Sequence, residues 1–231
     1  MARAPTFHPS VLRTAPADFE DVRERLDRAG PEALDTAECL AFALRRGARR
    51  AAFGWAERLL GDFGSLPELL GAPRLAWLRA ATPAIARDLA VLHELQVRAL
   101  RAPLLARAVF PDRAALIDYL QAQLASARRE EVRVLFLDKG QRMLADELMG
   151  AGSVDHAPIY PPEIMRRALE LDAAAVVLVR NRPSGRTEPT ATDLDAVRQV
   201  IAAGRALRIA VHDQLLVVGR AVVSFRTLGL L

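Results

Sequence analysis

The sequence contains very little lysine, cysteine and aromatic residue. Lys139 is the only lysine against a Lys+Arg total of 32, and the formal net charge is +4. A chain rich in arginine and alanine but poor in lysine indicates a compositional bias of the genome more than a nucleic-acid-binding surface. The single cysteine, Cys39, excludes a disulfide framework and a zinc site built from cysteines.

Long hydrophobic runs are also missing. The longest is AAAVVLV at 173–179, far below the roughly 20 residues that a membrane span requires. The first residues lack the apolar stretch of a secretory signal peptide. We therefore expect a reduced, cytoplasmic protein that does not associate with membranes.

The first part of the chain has the spacing of helices. The share of hydrophobic residues is 52% and that of charged residues 26%, which is typical of a globular protein. Residues 1–17 show no periodicity and predict a loose tail. From there to residue 101, apolar residues recur at helical intervals, with Leu95 among those on the core face, between glycines and prolines. The predicted helices cover 18–30, 35–47, 51–64, 65–80 and 83–100.

The pattern changes after Pro103 and Pro111, where we place a domain boundary. One more helix is predicted over 112–126, and strands alternate with helices from there on. The predicted strands cover 130–138, 142–150, 173–179, 208–214, 215–220 and 221–225, with helices over 160–172 and 191–207. This order predicts an α/β fold with a mixed sheet flanked by helices, and two domains at 18–101 and 105–231.

A group of polar residues follows the strand at 173–179. Arg180 and Arg182 are two residues apart at the strand end, so their side chains leave the same face. Histidines in those places could hold one zinc ion, with a carboxylate from the next helix start as third ligand and a water as fourth. A glutamate from another strand could then act as general base on that water.

The order of these residues resembles the JAMM motif of MPN/JAB-type metallopeptidases. That motif runs Glu, His-x-His, seven residues, Ser, two residues, Asp. Here the same frame reads Glu130, Arg180-Asn181-Arg182, seven residues, Thr190, two residues, Asp193, with Glu131 as an alternative to Glu130 by one register. The segments REEVRVLFLD, PPEIMRRAL, AAAVVLV, NRPSG…PTATD and VHDQLLVVG further resemble the bacterial RadC family, over about residues 20 to 229.

The resemblance implies a JAB/MPN domain with a cytidine deaminase-like α/β fold, and it assigns roles to the residues of the frame. Glu130 takes the position of the base and Thr190 that of the serine that stabilises an oxyanion. The three ligand positions are Arg180, Arg182 and Asp193. Guanidinium has no lone pair to offer, so only Asp193 could ligate. We therefore expect a vestigial site without a cofactor, with zinc bound only if the family site is retained in some other form.

The arginines suggest a hypothesis about the lost metal. Two carboxylates that face a cavity without a dication would be uncompensated buried charges. We hypothesise that Arg180 and Arg182 replace the charge of the metal between Glu130 and Asp193. Gln214 stands where the family usually has a histidine.

Each of these residues also has an ordinary structural interpretation. Thr190-x-x-Asp193 matches a helix capping box, and two arginines can simply be a polar strand end. The histidines are dispersed and are interpreted as surface or packing residues, with a replacement zinc site as the alternative. They are His8, His93, His156 and His212.

The helical region resembles the helix-hairpin-helix module of RadC proteins over residues 78–95. Ala81, Thr82 and Pro83 stand where a Gly-x-Gly hairpin would approach phosphates, and proline removes a backbone donor. The remaining basic patch consists of Arg45, Arg46, Arg49 and Arg50. It is either a solvated helix end or a nucleic-acid contact, and we identify no aromatic stacking pattern beside it.

Three functions remain open from the sequence. The favoured one is a binding or scaffold module with an inactive metallopeptidase site, linked to DNA repair by the family name alone. The alternatives are a metal-dependent hydrolase or peptidase with non-standard ligands, and a nucleic-acid-binding protein that uses Arg45–Arg50. The sequence identifies neither a protein or DNA partner nor an oligomeric state.

Overall fold

The computed structural model describes residues 19–110, 113–124, 127–152 and 157–231. The tail predicted for 1–17, together with His8 and His156, lies outside this range. The chain divides into two compact units, Met1–Gly64 and Ser65–Leu231. The domain division placed between residues 101 and 105 stays a prediction.

Helices form the described part of the first unit: α1 (Phe19–Ala29), α2 (Thr36–Ala48) and α3 (Ala52–Phe63). Gly30 ends α1 with φ 80, in the left-handed region that glycine adopts without strain. The Asp35 carboxylate accepts a hydrogen bond from the backbone N–H of Glu38, so Asp35 caps α2.

The second unit combines helices and strands. Its helices are α4 (Leu66–Gly71), α5 (Arg74–Ala80), α6 (Pro83–Ala106), α7 (Ala114–Leu124), α8 (Pro161–Glu170) and α9 (Ala191–Leu207). Its strands are β1 (Glu131–Leu137), β2 (Met143–Ala151), β3 (Ala175–Asn181), β4 (Ala210–Val218) and β5 (Ala221–Ser224).

Two details of the helical region differ from the sequence prediction. Helix α6, predicted over 83–100, continues through Pro103 to Ala106, where burial of Leu104 in the core compensates for the hydrogen bond that proline cannot donate. Leu95, predicted on the core face, is 58% exposed. None of the described helices is both long and apolar enough to cross a membrane.

The strands form one five-stranded sheet in the order β2-β1-β3-β4-β5. Strands β3 and β4 are parallel, and the other neighbouring pairs are antiparallel. The predicted α/β fold with a mixed sheet is therefore confirmed. The two strands expected at 208–214 and 215–220 are one continuous strand, β4, which pairs with β3 along its length.

Both faces of the sheet are covered. Buried residues of α6 and α7 pack on one face against Leu135, Val177 and Leu215. Helices α8 and α9 pack on the other face against Val134, Val176 and Leu216. Every residue of β3 is buried, as its continuous apolar sequence predicts for a central strand.

Candidate functional site

The carboxyl end of β3 points two arginines toward the start of α9. Arg180 pairs with Val132 of β1 and with Leu216 of β4, which places it inside the sheet. Its side chain lies on the face covered by α8 and α9, because Leu178 and Val176 of that face precede it by two and four residues. Arg180 and Arg182 are only 5% and 6% exposed.

The start of α9 brings Asp193 to the same place. Thr190 is the N-cap, and its side chain accepts a hydrogen bond from the backbone N–H of Asp193, while Asp193 accepts one from the backbone N–H of Thr190. The capping box expected from Thr190-x-x-Asp193 is thus present. It holds the Asp193 carboxylate, which is completely buried, in one orientation.

Both arginines bind this carboxylate. Nη1 of Arg180 lies 3.0 Å from Oδ1 of Asp193, and Nη2 of Arg182 lies 2.5 Å from Oδ2. The Thr190 hydroxyl and backbone N–H also donate to Oδ2, at 2.7 and 2.8 Å. The Asp193 carboxylate therefore accepts four hydrogen bonds, two of them from guanidinium groups.

Glu130 completes the cluster from the residue before β1. Its carboxylate lies 3.9 Å from a nitrogen of each arginine and accepts a hydrogen bond from the backbone N–H of Ala157 at 2.9 Å. Arg180 in turn donates to the backbone carbonyl of Ala157 at 3.0 Å. Of the two registers that the sequence left open, Glu130 is the one whose side chain lies beside both arginines, while Glu131 begins β1.

The four side chains of this ionic cluster, Glu130, Arg180, Arg182 and Asp193, balance in charge. Burial by itself would raise the pKa of Asp193. The hydrogen bonds from Thr190 and Arg182, together with the charge of Arg182, outweigh burial and hold this pKa below its ordinary value. The Asp193 carboxylate is accordingly ionised at neutral pH, and every side chain of the cluster is at most 6% exposed.

Sequence reasoning missed two contributors. The amide of Asn181 accepts from the backbone N–H of Glu131 and donates to the carbonyl of Arg129, which fixes the chain segment that carries Glu130. Ala157 contributes only its backbone, so its residue type carries no signal. The alternation of β3 could have indicated the first contact, since Asn181 points away from its two arginine neighbours.

Gln214 lies on the same sheet face as Arg180 but outside the cluster. It is 1% exposed, and its amide nitrogen and oxygen have no hydrogen-bond partner among the described residues. Burial of an amide without a hydrogen-bond partner is unfavourable by about 1–3 kcal/mol.

The donor set of the site is poor for zinc. Guanidinium groups offer no electron pair, which leaves the two carboxylates, and Asp193 already accepts four hydrogen bonds. Across the described ranges, no group of three or more His, Cys, Asp or Glu side chains is placed to hold a metal ion. His93 packs against Trp77 and His212 against Phe110, as side chains of aromatic contacts.

A cleft of about 640 Å³ opens next to the cluster. It lies beyond the carboxyl ends of the parallel strands β3 and β4, the place where open α/β sheets commonly bind ligands. Arg182 is the one cluster member among its lining residues, which also include Arg128, Asn181, Gly185 and Gly219. A molecule in this cleft would meet arginine side chains and loop backbone.

The predicted nucleic-acid contacts, Arg45, Arg46, Arg49 and Arg50, all belong to the first unit, and the side chain of Arg49 lies outside the described part of the structure. Arg45, Arg46 and Arg50 are exposed in the first unit. In the second unit, the hydroxyl of Thr82 caps α6 by accepting from the backbone N–H of Ile85 at 3.3 Å, and Pro83 follows it. The start of α6 therefore has fewer free N–H groups for a phosphate than a glycine hairpin would offer.

Comparison with known proteins identifies the family. The family profile described as RadC-like JAB domain matches residues 110–230. A UPF0758 protein of Rhodobacter capsulatus is 38% identical over 213 residues, which cover 91% of this chain and 100% of that protein. Residues 110–230 contain the end of β3, the capped start of α9 and the four residues of the ionic cluster. The chain belongs to the RadC-like JAB domain family.

Proposed function

We propose that this chain is a RadC-like binding or scaffold module. Its JAMM-type metallopeptidase site binds no zinc and is catalytically inactive. Arg180 and Arg182 would occupy the positions of the two ligand histidines. Asp193 is the remaining ligand position, and Glu130 the position of the base. The observation that carries this proposal is the direct clamping of Asp193 by both guanidinium groups, at 3.0 and 2.5 Å.

Charge balance supports the proposal. A dication would contribute two positive charges to the two carboxylates, and two guanidinium groups contribute the same charge. The arginines can therefore replace the metal without leaving an unpaired buried charge. Adding Zn²⁺ to the present cluster would place a dication next to two fixed positive groups. Such a site repels the metal instead of binding it.

The hydrogen bonds of Thr190 and the burial of the carboxylates argue against residual catalysis. The Thr190 hydroxyl donates a hydrogen bond to Asp193, so it is not free to stabilise an oxyanion. Glu130 is 3% exposed, and its carboxylate already accepts a hydrogen bond from the backbone N–H of Ala157, which opposes a role as general base for a bound water. A hydrolase with other metal ligands would need a further donor cluster.

The binding role is assigned to the cleft beside Arg182. The ionic cluster fixes the loop after β3, because Arg182 donates hydrogen bonds to the backbone carbonyls of Arg186 and Glu188 at 3.4 and 2.8 Å. A rigid loop lowers the entropic cost of binding a partner. In this proposal the former catalytic residues shape a recognition surface.

Metal analysis and peptidase assays test the proposal together. The wild-type protein, purified without chelator, should contain well under one zinc per chain and should not cleave peptide or isopeptide substrates. The variant Arg180→His/Arg182→His restores three ligand positions with Asp193, and zinc uptake by this variant alone would show that the arginines exclude the metal. Stoichiometric zinc in the wild type, with peptidase activity lost on chelation, would contradict the proposal.

A further inference from the structure

An arginine-rich surface lies on the first unit, around the end of α2. The sequence from 39 to 56 contains Arg45, Arg46, Arg49 and Arg50 and no aspartate or glutamate. The side chains of Arg45, Arg46 and Arg50 are exposed. This stretch is therefore a local concentration of positive charge in a chain whose total charge is only +4.

Aromatic side chains stand among these arginines, which the sequence did not reveal. The guanidinium of Arg45 lies 5.1 Å from the centre of the Phe42 ring. Phe19 from α1 contacts Phe42 edge to face at 5.8 Å and Phe53 from α3 at 4.5 Å. This aromatic cluster cannot be recognised from the sequence, because α1, α2 and α3 each contribute one of its rings.

Together these residues form a small pocket. It measures about 340 Å³ and is lined by Phe19, Glu20, Arg23, Phe42, Arg45 and Arg50. Three positive groups face one negative group there, and Glu20 is paired with Arg23 at 2.7 Å. The remaining charge of the arginine–phenylalanine pocket is that of Arg45 and Arg50, beside two aromatic rings.

The Phe42 ring and the Arg45 guanidinium are planar, and Arg45 and Arg50 are positively charged. These groups define the kind of ligand that the pocket can bind. Unpaired bases stack on aromatic rings and on guanidinium planes, while arginines bind the flanking phosphates. A membrane surface fits less well, because none of the large hydrophobic side chains among described residues 19–64 is exposed for insertion. A base-paired duplex would contact the arginines but has no unpaired base to stack on Phe42.

We propose that the arginine–phenylalanine pocket binds single-stranded nucleic acid. One unpaired base stacks against the Phe42 ring and the Arg45 guanidinium, and Arg45 and Arg50 bind the neighbouring phosphates. No residue of the ionic cluster or its cleft takes part, so this proposal and the zinc-free JAB site stand or fall separately. The pocket also differs from the helix start at Pro83.

Fluorescence anisotropy on the full-length chain tests this binding. The probes are a fluorescein-labelled 20-nucleotide oligo-dT, its oligo-rU counterpart and a hairpin duplex of the same charge. Binding to single strands should weaken with salt, with a slope near −0.7 for each phosphate contact. The two single strands distinguish DNA from RNA. No binding of either, or equal binding of the duplex, would overturn the proposal.

Two variants separate charge from stacking. Arg45→Glu/Arg50→Glu should weaken binding at least about tenfold and make the salt slope shallower by roughly 1.4, which corresponds to two phosphate contacts. Phe42→Leu should weaken binding roughly 5- to 150-fold with little change in the salt slope. The matched control, Arg107→Glu/Arg205→Glu, makes the same charge change on exposed residues of the second unit and should bind as the wild type does.

A spectroscopic measurement avoids dependence on the folding of the Phe42 variant. A 2-aminopurine base within oligo-dT loses fluorescence when it stacks, so binding to wild-type protein should change its emission, and Arg45→Glu/Arg50→Glu should not. An unchanged emission upon binding would contradict a stacked base. An equal loss of affinity in the control variant would instead show nonspecific electrostatic attraction. Competition by an acidic peptide as strong as that by oligo-dT would show the same. Either result overturns the proposed pocket.

Discussion

Replacing Arg180 with methionine should strongly lower the free energy of unfolding of the second unit. The side chain is 5% exposed and donates to Asp193 and to the carbonyl of Ala157, both at 3.0 Å. Methionine keeps part of the volume but leaves two buried carboxylates with one guanidinium. Breaking a buried ion pair in this way lowers the free energy of unfolding by about 3–5 kcal/mol. For a chain of this size, each kcal/mol lowers Tm by about 2–4 °C, so we expect a decrease of about 6–20 °C.

The matched control is Arg167→Met. Arg167 donates to Glu147 at 2.6 and 2.8 Å, contacts as close as those of Arg180, but its side chain is 32% exposed and that of Glu147 29%. Water compensates exposed pairs, so this change should lower the free energy of unfolding much less than Arg180→Met does. The difference between the two variants isolates the effect of burial.

Urea denaturation followed by tryptophan fluorescence provides the measurement. Trp77 is buried in the second unit, where its indole N–H donates to the carbonyl of Leu69 at 2.7 Å. A Trp55→Phe background removes the tryptophan of the first unit, so the signal reports the unit that contains Arg180. If Arg180→Met destabilises this unit no more than Arg167→Met, the buried ionic cluster does not hold the site together as we describe.

Three further predictions concern the same region. Gln214→Met should raise the free energy of unfolding by about 1–3 kcal/mol, because it removes an unsatisfied buried amide; a loss of stability in urea denaturation would show that the amide has a partner. Thr190→Ala should destabilise by about 0.5–2 kcal/mol by removing the cap of α9, whereas Thr190→Ser should stay close to the wild type in the same assay. Because the pKa of Asp193 is below its ordinary value in the folded chain, its ionised form stabilises the fold above about pH 4, and this contribution disappears as the pH falls through the folded-state pKa. Denaturation curves from pH 7 to pH 2 should show the loss, and Asp193→Asn should have a shallower slope below pH 4; parallel slopes would contradict the assignment.

The sequence predicted the parts of the site that follow from periodicity and capping. The uninterrupted apolar run of β3 indicated a buried strand, and the spacing of Arg180 and Arg182 placed both side chains on one face. The Thr190-x-x-Asp193 pattern predicted the helix start that delivers Asp193. These local rules sufficed because β3 and α9 are regular elements, and the carboxyl end of β3 lies beside the start of α9.

Contacts made by irregular backbone were beyond the sequence. Ala157 is held at both its N–H and its carbonyl, yet no side chain marks it, because the segment between β2 and α8 has no periodicity. The aromatic rings beside Arg45 come from three helices, so only the folded chain places them together. The continuation of α6 past Pro103 depends on packing of Leu104 in the core, which local helix rules do not contain.

Anomalous diffraction at the zinc edge tests most directly whether arginines have taken the place of the metal. Crystals of the wild-type protein, grown with added zinc, should show both guanidinium groups at hydrogen-bonding distance from Asp193 and no anomalous peak at the cluster. A peak about 2.0–2.2 Å from an Asp193 oxygen, with Arg180 and Arg182 turned away, would contradict the central claim.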